Sequence, residues 1–253
     1  MTTYIDINCD LGESNLAQHP EHLQFFDFIS SCNIATGFHA GDPTTIYLMI
    51  QKAIEKEVSI GAHPSYPDKN GFGRISMKMN PDELFASLSY QVSALSGMCR
   101  MAGTRLHHIK LHGALYHDAH HREEIAEVII DLLRSFPYPI SLYGIKNSIL
   151  GEMALHAGFP FYSEGFVDRR YDHTGRLLPR THPDSTLTHM DELHLQALDI
   201  IRHQRVKTDT GEFVALQADT LCIHSDHTNS LKTAQSLHEM LSKFDIQIKR
   251  PGK

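Results

Sequence analysis

Histidines recur in this chain at the ends of short apolar segments, beside an acid, a lysine or a glycine. Four segments show this most clearly, NIATGFHAGDP, SIGAHPSYPD, HIKLHGALY and TLCIHSD, and they contain His39, His63, His112 and His224. An apolar run of roughly four to eight residues that stops at a polar, glycine-rich segment is typical of a buried parallel strand. Because such folds place their chemistry at the carboxyl ends of the strands, we expect these histidines to share one site.

A lysine and two acids accompany the histidines. Lys110 precedes His112 by two residues, a spacing that puts both side chains on one face of a strand. A lysine buried inside a barrel must find a partner or shift its pKa, so a catalytic role explains it better than a structural one. The segment DINCDLGE follows the first predicted strand and supplies Asn8, Asp10 and Glu13. Considered by itself, this segment is best explained as a turn. If it lies at the same edge of the sheet as the histidines, one carboxylate could act as a general base and the other could orient a metal or the substrate.

Two long loops contribute further charged candidates. GAHPSYPDKNGFGR carries Arg74, and the loop predicted after the sixth strand carries Glu164, Asp168 and Arg169. The alternative for the first loop is a stiff surface loop without a functional role. The alternative for the second is a surface loop whose acids and arginines pair only with one another. His107 and His108 start a strand, so we expect them at the far end without a role. Surface positions are expected for His120, His121, His182 and His194.

The elements that position these residues alternate along the chain. Strands are predicted over 4–9, 28–34, 58–62, 106–111, 140–143, 159–161 and 220–223. Helices are predicted over 43–56, from 81 to a stop at Gly103, and over 123–134, 148–157, 190–205 and 230–244, with a hairpin turn at 209–212. About seven βαβ units favour closure into a parallel β/α barrel over an open doubly wound sheet. Asp42 should cap the first of these helices, whose start beside His39 would favour an anion.

Composition limits the functions open to this chain. With 253 residues and 41% hydrophobic residues, one domain over 1–253 is favoured. A formal charge of -7 without a basic run argues against nucleic acid. Acids near the N-terminus argue against a signal peptide and no apolar stretch is long enough to span a membrane, so a cytoplasmic protein without membrane contact is expected. Reduced core thiols are expected for Cys9, Cys32, Cys99 and Cys222.

Taken together, these segments resemble the LamB/YcsF family, whose pattern is similar to NCDLGE, NIA-x-GFHAGDP, GAHP-x-YPD-x-x-GFGR, K-x-HGALY, E-x-F-x-DR-x-Y and C-x-H-x-D. The matches occur in this order and extend from Asn8 to Asp226. The chain departs from the pattern, without losing a polar site residue, at Thr36, Ser65, Ile75, Leu111 and Ser225, where Cys, Gly, Arg, Pro and Gly are usual.

The resemblance implies a seven-stranded β/α barrel of the deacetylase type and a 5-oxoprolinase activity. That activity opens the lactam of 5-oxo-L-proline to L-glutamate with ATP, Mg as its counter-ion, and separate B and C subunits as partners. Catalytic roles are expected for Asp10, His39, Lys110 and His112. Substrate-binding roles are expected for Asn8, Glu13, His63, Arg74, Glu164, Asp168, Arg169 and His224.

More specific roles follow as hypotheses from the same resemblance. Asp10 or a histidine would activate water, Lys110 and the helix start after His39 would stabilise an oxyanion, and Arg74 or Arg169 would hold the substrate carboxylate. No tightly bound metal is expected, and the ligands of one, if present, would be Asp10, His39, His63 and His224.

Two other functions stay open at this point. One is a metal-dependent deacetylase or amidohydrolase on a similar barrel. The other is a non-catalytic subunit that presents the substrate to its partners. The chain has no Walker-type phosphate loop, which favours dependence on partner subunits for ATP binding. A homo-oligomer is also compatible with the sequence.

Overall fold

The structure is a computed structural model that describes residues 3–226 and 229–252. Its strands are β1 Thr3–Leu11, β2 Ser31–Ala35, β3 Ser59–His63, β4 His108–Lys110, β5 Ser141–Gly144, β6 Phe161–Phe166, β7 Arg205–Lys207, β8 Phe213–Ala215, β9 Thr220–His224 and β10 Ile246–Ile248. Its α-helices are α1 Pro43–Glu55, α2 Pro81–Met101, α3 Gly113–His121, α4 Glu123–Arg134, α5 Ile149–His156, α6 Met190–His203 and α7 Ser230–Lys243. A 3-10 helix covers Pro20–Asp27.

Seven of these strands form a closed parallel barrel. The order is β1, β2, β3, β4, β5, β6 and β9, and pairing of β1 with β9 closes the ring. This confirms the predicted seven-stranded β/α barrel. Strand β10 pairs in parallel with the first residues of β1, and β7 with β8 forms the antiparallel hairpin predicted around 209–212.

Strand β1 shows why the inside of this barrel is polar. Ile5 and Ile7 alternate with Asp6, Asn8 and Asp10, and all five residues are buried. Side chains alternate across a strand, so the three polar residues share one face. Their hydrogen bonds reach across the ring to other strands, which places that face inside the barrel. The expectation that Asn8 and Asp10 follow the first strand is therefore wrong, because both lie within it.

Helix α1 begins as the sequence predicts. Asp42 caps it by accepting the backbone N–H groups of Thr44 at 2.9 Å and Thr45 at 3.0 Å. These bonds also overturn the idea that the helix start binds an anion at the site, because the cap already uses the N–H groups an anion would need. Helix α4 is amphipathic and buries its apolar face, which includes Ile125 and Ile129.

Three elements escape the sequence prediction: the 3-10 helix, α3 and β10. Helix α3 starts at Gly113, with two residues between it and the end of β4, and the φ of 56° at Gly113 favours glycine. Strand β6 extends to Phe166, so Glu164 lies in the strand and not in the loop after it.

His120 does not lie at the surface as expected, and His108, which starts β4 as predicted, is buried inside the ring. His120 on α3 is buried. Its Nδ1 donates to the carbonyl of Tyr116 at 2.6 Å, and its Nε2 accepts the N–H of Ile145 at 2.9 Å. Burial lowers the pKa of His120 to about 3. His108 is also fully buried, with its Nε2 2.7 Å from Oδ1 of Asn33 inside the ring, so it supports the site from below.

The four cysteines are free and buried, as predicted for core thiols. In the described part of the chain, the helices are too short or too polar to pass through a lipid bilayer.

Candidate active site

A pocket opens at the carboxyl ends of the barrel strands, where the sequence predicts the site. Strands β1, β3, β4, β6 and β9 supply Asp10, His63, Lys110, Phe166 and His224, and the intervening loops and α3 supply the rest of the wall. The other lining residues are Glu13, Arg74, Leu111, His112, Gly113, Tyr116, His117, Arg169, Leu177, Arg180 and Asp226.

Lys110 lies at the floor of this pocket between two carboxylates. Its Nζ is 2.8 Å from Oδ1 of Asp10 and 3.1 Å from Oε1 of Glu164. Burial by itself would lower the pKa of Lys110, but the charges of Asp10 and Glu164 outweigh it and hold that pKa well above its usual value. Burial would likewise raise the pKa of Asp10, yet His63 and Lys110 hold it well below its usual range. A charged ammonium and an ionised carboxylate therefore face each other.

A layer of amides and hydroxyls fixes these charges from below. Asn8 donates through Nδ2 to Glu164 at 3.1 Å and to Oγ1 of Thr220 at 2.8 Å. Asn33 donates to Oδ1 of Asp10 at 2.8 Å, and the hydroxyl of Tyr116 donates to Oε2 of Glu164 at 2.9 Å. Because every acid in this layer has a donor, the charges stay in place without solvent.

Three histidines and Glu13 form one wall of the pocket. Nε2 of His63 lies 2.9 Å from Nδ1 of His112, and Oε1 of Glu13 lies 3.2 Å from both Nδ1 of His112 and Nε2 of His39. The rings of His39 and His112 stack with centroids 3.7 Å apart. Burial by itself would raise the pKa of Glu13, but the adjacent His112 and His39 hold it well below its usual range. Burial lowers the pKa of His39 to about 4.

Gly73 allows this histidine wall to form. Its φ is 64°, and a Cβ there would come within 2.8 Å of the His112 ring and 3.0 Å of the His39 Cβ. The tight turn of GFGR and the packing of both histidines thus require glycine.

His224 is held on the opposite side by Asp168. Nδ1 of His224 is 2.9 Å from Oδ2 of Asp168, and the backbone N–H of His224 donates to the same oxygen at 3.0 Å. The His224 ring also stacks on Phe166 with an interplanar angle of 14°. Asp168 therefore orients a histidine and does not itself line the pocket.

The arginines of the pocket differ in how firmly they are held. Arg169 is buried and donates through Nε to the carbonyl of Ser185 at 3.2 Å and through Nη2 to that of Leu178 at 2.6 Å. Burial lowers its pKa to about 10, which leaves it charged at neutral pH. Arg74 is more exposed and pairs with Asp226 at 2.5 Å.

Most of the predicted site residues meet at this pocket. Asn8, His39, Glu164 and Asp168 lie immediately behind the lining residues and hold them in position. Sequence reasoning missed Tyr116, His117, Phe166, Cys222 and Arg180 as parts of the site. Tyr116 was detectable, because it ends the HGALY segment that follows Lys110.

The grouping of metal-ligating atoms also differs from the combination named above. The described residues that bring ligand atoms within 4.8 Å of one another at the histidine wall are Glu13, His39, His63 and His112. Asp10 and His224 belong to a second group with Cys222. His39 and His63 are thus common to the expected and the observed sets.

The ring of seven parallel strands and the charged pocket at their ends define a TIM-like β/α barrel with its polar groups gathered at the barrel mouth. The chain belongs to the LamB/YcsF family, which matches residues 5–253.

Relatives match it over nearly the whole chain. The A subunit of 5-oxoprolinase from Bordetella pertussis is 41% identical, covering 98% of this chain and 99% of that protein. Its counterpart from Tolumonas auensis is 39% identical, covering 97% of this chain and 98% of that protein. The crystal structure of a lactam utilization protein from Thermus thermophilus has a TM-score of 0.90 at 36% identity, covering 98% of this chain and 99% of that one.

Proposed function

We propose that this protein is the A subunit of a 5-oxoprolinase that opens the lactam of 5-oxo-L-proline to L-glutamate, coupled to ATP hydrolysis, with B and C subunits as partners. The observation that carries the proposal is the 41% identity, over almost the full length of both chains, to a protein named as the A subunit of 5-oxoprolinase. A pocket with a buried lysine, acids and arginines supports it, because the substrate is a small carboxylate with a polar amide.

The chemistry explains why ATP would be used. An unstrained lactam is a poor electrophile, and phosphorylation of its oxygen by ATP, with ADP leaving, makes the ring carbon reactive. Water adds to that carbon, the ring C–N bond breaks, and the nitrogen takes up a proton to become an amine. A second water releases phosphate from the resulting acyl phosphate, which gives glutamate. Each ring opened thus consumes one ATP and two waters.

The charges of the pocket suit these steps. The Lys110 ammonium, fixed 2.8 Å from Asp10, is placed to stabilise negative charge on the lactam oxygen or its phosphate. Asp10 is ionised and its Oδ2 lies 3.3 Å from Nε2 of His63 at the edge of the histidine wall, so Asp10 could take a proton from water.

Arg169 suits the substrate carboxylate better than Arg74 does. Its guanidinium is buried and already oriented by two carbonyl oxygens, whereas Arg74 is paired with Asp226. An arginine held in advance loses little side-chain entropy when it binds a carboxylate.

The test measures glutamate and ADP released from 5-oxoproline by this chain alone and with B and C subunits, each with and without ATP. We expect glutamate and ADP in equal amounts, and only from the complete mixture with ATP. No glutamate from the complete mixture would refute the proposal. Release by this chain alone without ATP would instead support an ATP-independent amidohydrolase.

A further inference from the structure

Two ring nitrogens at the histidine wall face each other without a hydrogen between them. Nδ1 of His63 is 2.8 Å from the carbonyl oxygen of Lys110, and Nε2 of His112 is 2.8 Å from the carbonyl oxygen of Phe72. A carbonyl oxygen only accepts, so each of these nitrogens must carry the hydrogen of its ring. The other nitrogens, Nε2 of His63 and Nδ1 of His112, then present lone pairs to each other across 2.9 Å.

Carboxylate oxygens converge on the same place. Oε1 of Glu13 is 3.2 Å from Nδ1 of His112, 3.7 Å from Nε2 of His63 and 3.2 Å from Nε2 of His39. Oδ2 of Asp10 adds a further acceptor 3.3 Å from Nε2 of His63. Acceptors that converge in a buried place need a cation among them.

We propose that Glu13, His63 and His112 bind one divalent transition-metal ion of the zinc type at the wall of the pocket, with its fourth position open to the pocket. A tetrahedral ion with bonds of about 2.0–2.1 Å keeps its ligand atoms about 3.3–3.4 Å apart. The separations of 2.9, 3.2 and 3.7 Å among the three ligand atoms bracket that distance. Imidazole nitrogens with one carboxylate select zinc and its transition-metal neighbours over Mg²⁺ or Ca²⁺, which prefer oxygen.

The hydrogen bonds behind the ligands match those of known metal sites. A metal-bound histidine normally donates its other nitrogen to a carbonyl or carboxylate, as His63 and His112 do here. The His39 ring stacks parallel on that of His112 with centroids 3.7 Å apart, so its Nε2 cannot point at the same ion and instead lies 3.2 Å from Oε1 of Glu13, where it positions that ligand. Glu13, His63 and His112 line the pocket, which gives an ion its way in.

The other two groups of potential ligands in the described residues are poorer. Between Asp10 and Cys222 the Nζ of Lys110 already lies 2.8 and 2.9 Å from their ligand atoms, so a second cation is excluded there. The group of His19, Glu21 and His22 lies at the surface, with the His19 and Glu21 side chains 51% and 46% exposed.

Metal binding can be tested without any assay of turnover, so the proposal stands apart from the proposed function. The full chain is stripped with a chelator and titrated with Zn²⁺ and with Co²⁺, whose visible absorption is intense in a tetrahedral site. We expect one equivalent of tightly bound ion and a tetrahedral Co²⁺ spectrum. Glu13→Gln and His112→Gln should each weaken binding on the order of 100-fold or more, and His39→Gln should weaken it less.

His19→Gln is the matched control, because it removes a ligand of the surface group and should leave the tight binding unchanged. The proposal is overturned if the folded wild-type protein binds no stoichiometric ion, which would mean that the facing nitrogens share a proton. It is also overturned if His19→Gln abolishes binding or if folded His112→Gln binds as tightly as the wild type. Should both ligand variants fail to fold by circular dichroism, the wild-type stoichiometry and Co²⁺ spectrum decide alone.

Discussion

Replacing Lys110 by methionine tests the centre of the site. The side chain stays unbranched and becomes one atom shorter, and it loses the charge that lies 2.8 Å from Asp10 and 3.1 Å from Glu164. Two buried carboxylates are then left without their cation. Removing one partner of a buried ion pair typically costs about 3–5 kcal/mol, so we expect Lys110→Met to lower the free energy of unfolding by roughly that amount at pH 7.

The loss should depend on pH in a defined direction. In the wild type the folded-state pKa of Asp10 is depressed, so its contribution to stability is present above the unfolded pKa and is lost as the pH falls through the folded pKa. Without the Lys110 charge, burial favours the protonated form of Asp10, which then takes up a proton more readily as the pH falls. The difference between variant and wild type should therefore shrink as the pH falls from 7 towards 4.

Urea unfolding followed by circular dichroism measures this effect. Adding Glu164→Gln to Lys110→Met removes one of the repelling carboxylates and should restore part of the lost stability. Lys52→Met is the control, because it breaks a surface pair with Glu55 and should cost less than about 1 kcal/mol. A Lys110→Met protein within about 1 kcal/mol of the wild type, or a loss independent of pH, would refute this account of the buried charges.

The other predictions concern the substrate and the buried histidines. Arg169→Lys should raise KM for 5-oxoproline on the order of tenfold or more with a smaller effect on kcat, because lysine cannot keep the two-carbonyl orientation, whereas Arg170→Lys should leave both constants near wild type. Unchanged KM in Arg169→Lys would remove it from carboxylate binding. His120 titrates near 6.5 when unfolded but about 3 when folded, so the wild type should lose about 2 kcal/mol of stability between pH 8 and pH 5 through this residue. His120→Gln should flatten that pH dependence, and the exposed His121→Gln should not; equal slopes in both variants would contradict the assignment.

The barrel could be predicted from the sequence because its strands and helices alternate strongly. Seven apolar runs between amphipathic helices are enough to favour closure, and caps such as Asp42 before Pro43 mark where helices start. Helix α3 could not be found in the same way. It begins at Gly113, with only two residues between it and β4, and is rich in histidine, so no apolar periodicity separates it from a loop.

The residues of the site were more predictable than their partners. Lys110 and His112 could be assigned to one face from their spacing, and both line the pocket. That Lys110 pairs with Asp10 and Glu164 depends on the diameter and register of a ring in which Lys110 and Asp10 are 100 residues apart along the chain, which local patterns do not contain.

The alternation in β1 is visible in the sequence. IDINCDL puts a polar residue at every second position, which is the pattern of a strand with one polar face. Parallel barrels usually fill their interior with branched apolar residues, so this pattern does not by itself place Asn8 and Asp10 inside a barrel. Here the apolar face of β1 points outward to the helices, and the polar face fills the barrel.

Burying charged groups inside the barrel costs desolvation free energy, which suggests that these groups serve the function of the site. Well-packed apolar residues commonly stabilise a core at least as well as buried ion pairs do, so Asp10, Lys110 and Glu164 are poorly explained by stability alone. Lys110 also links the two halves of the pocket, since its ammonium contacts Asp10 while its backbone carbonyl accepts from Nδ1 of His63. Lys110→Met retains that carbonyl. We therefore expect a variant that still binds the metal ion at the histidine wall but has lost turnover, on the order of 100-fold or more. Loss of both properties in a folded protein would mean that the ammonium, and not only the carbonyl, holds the histidines in place.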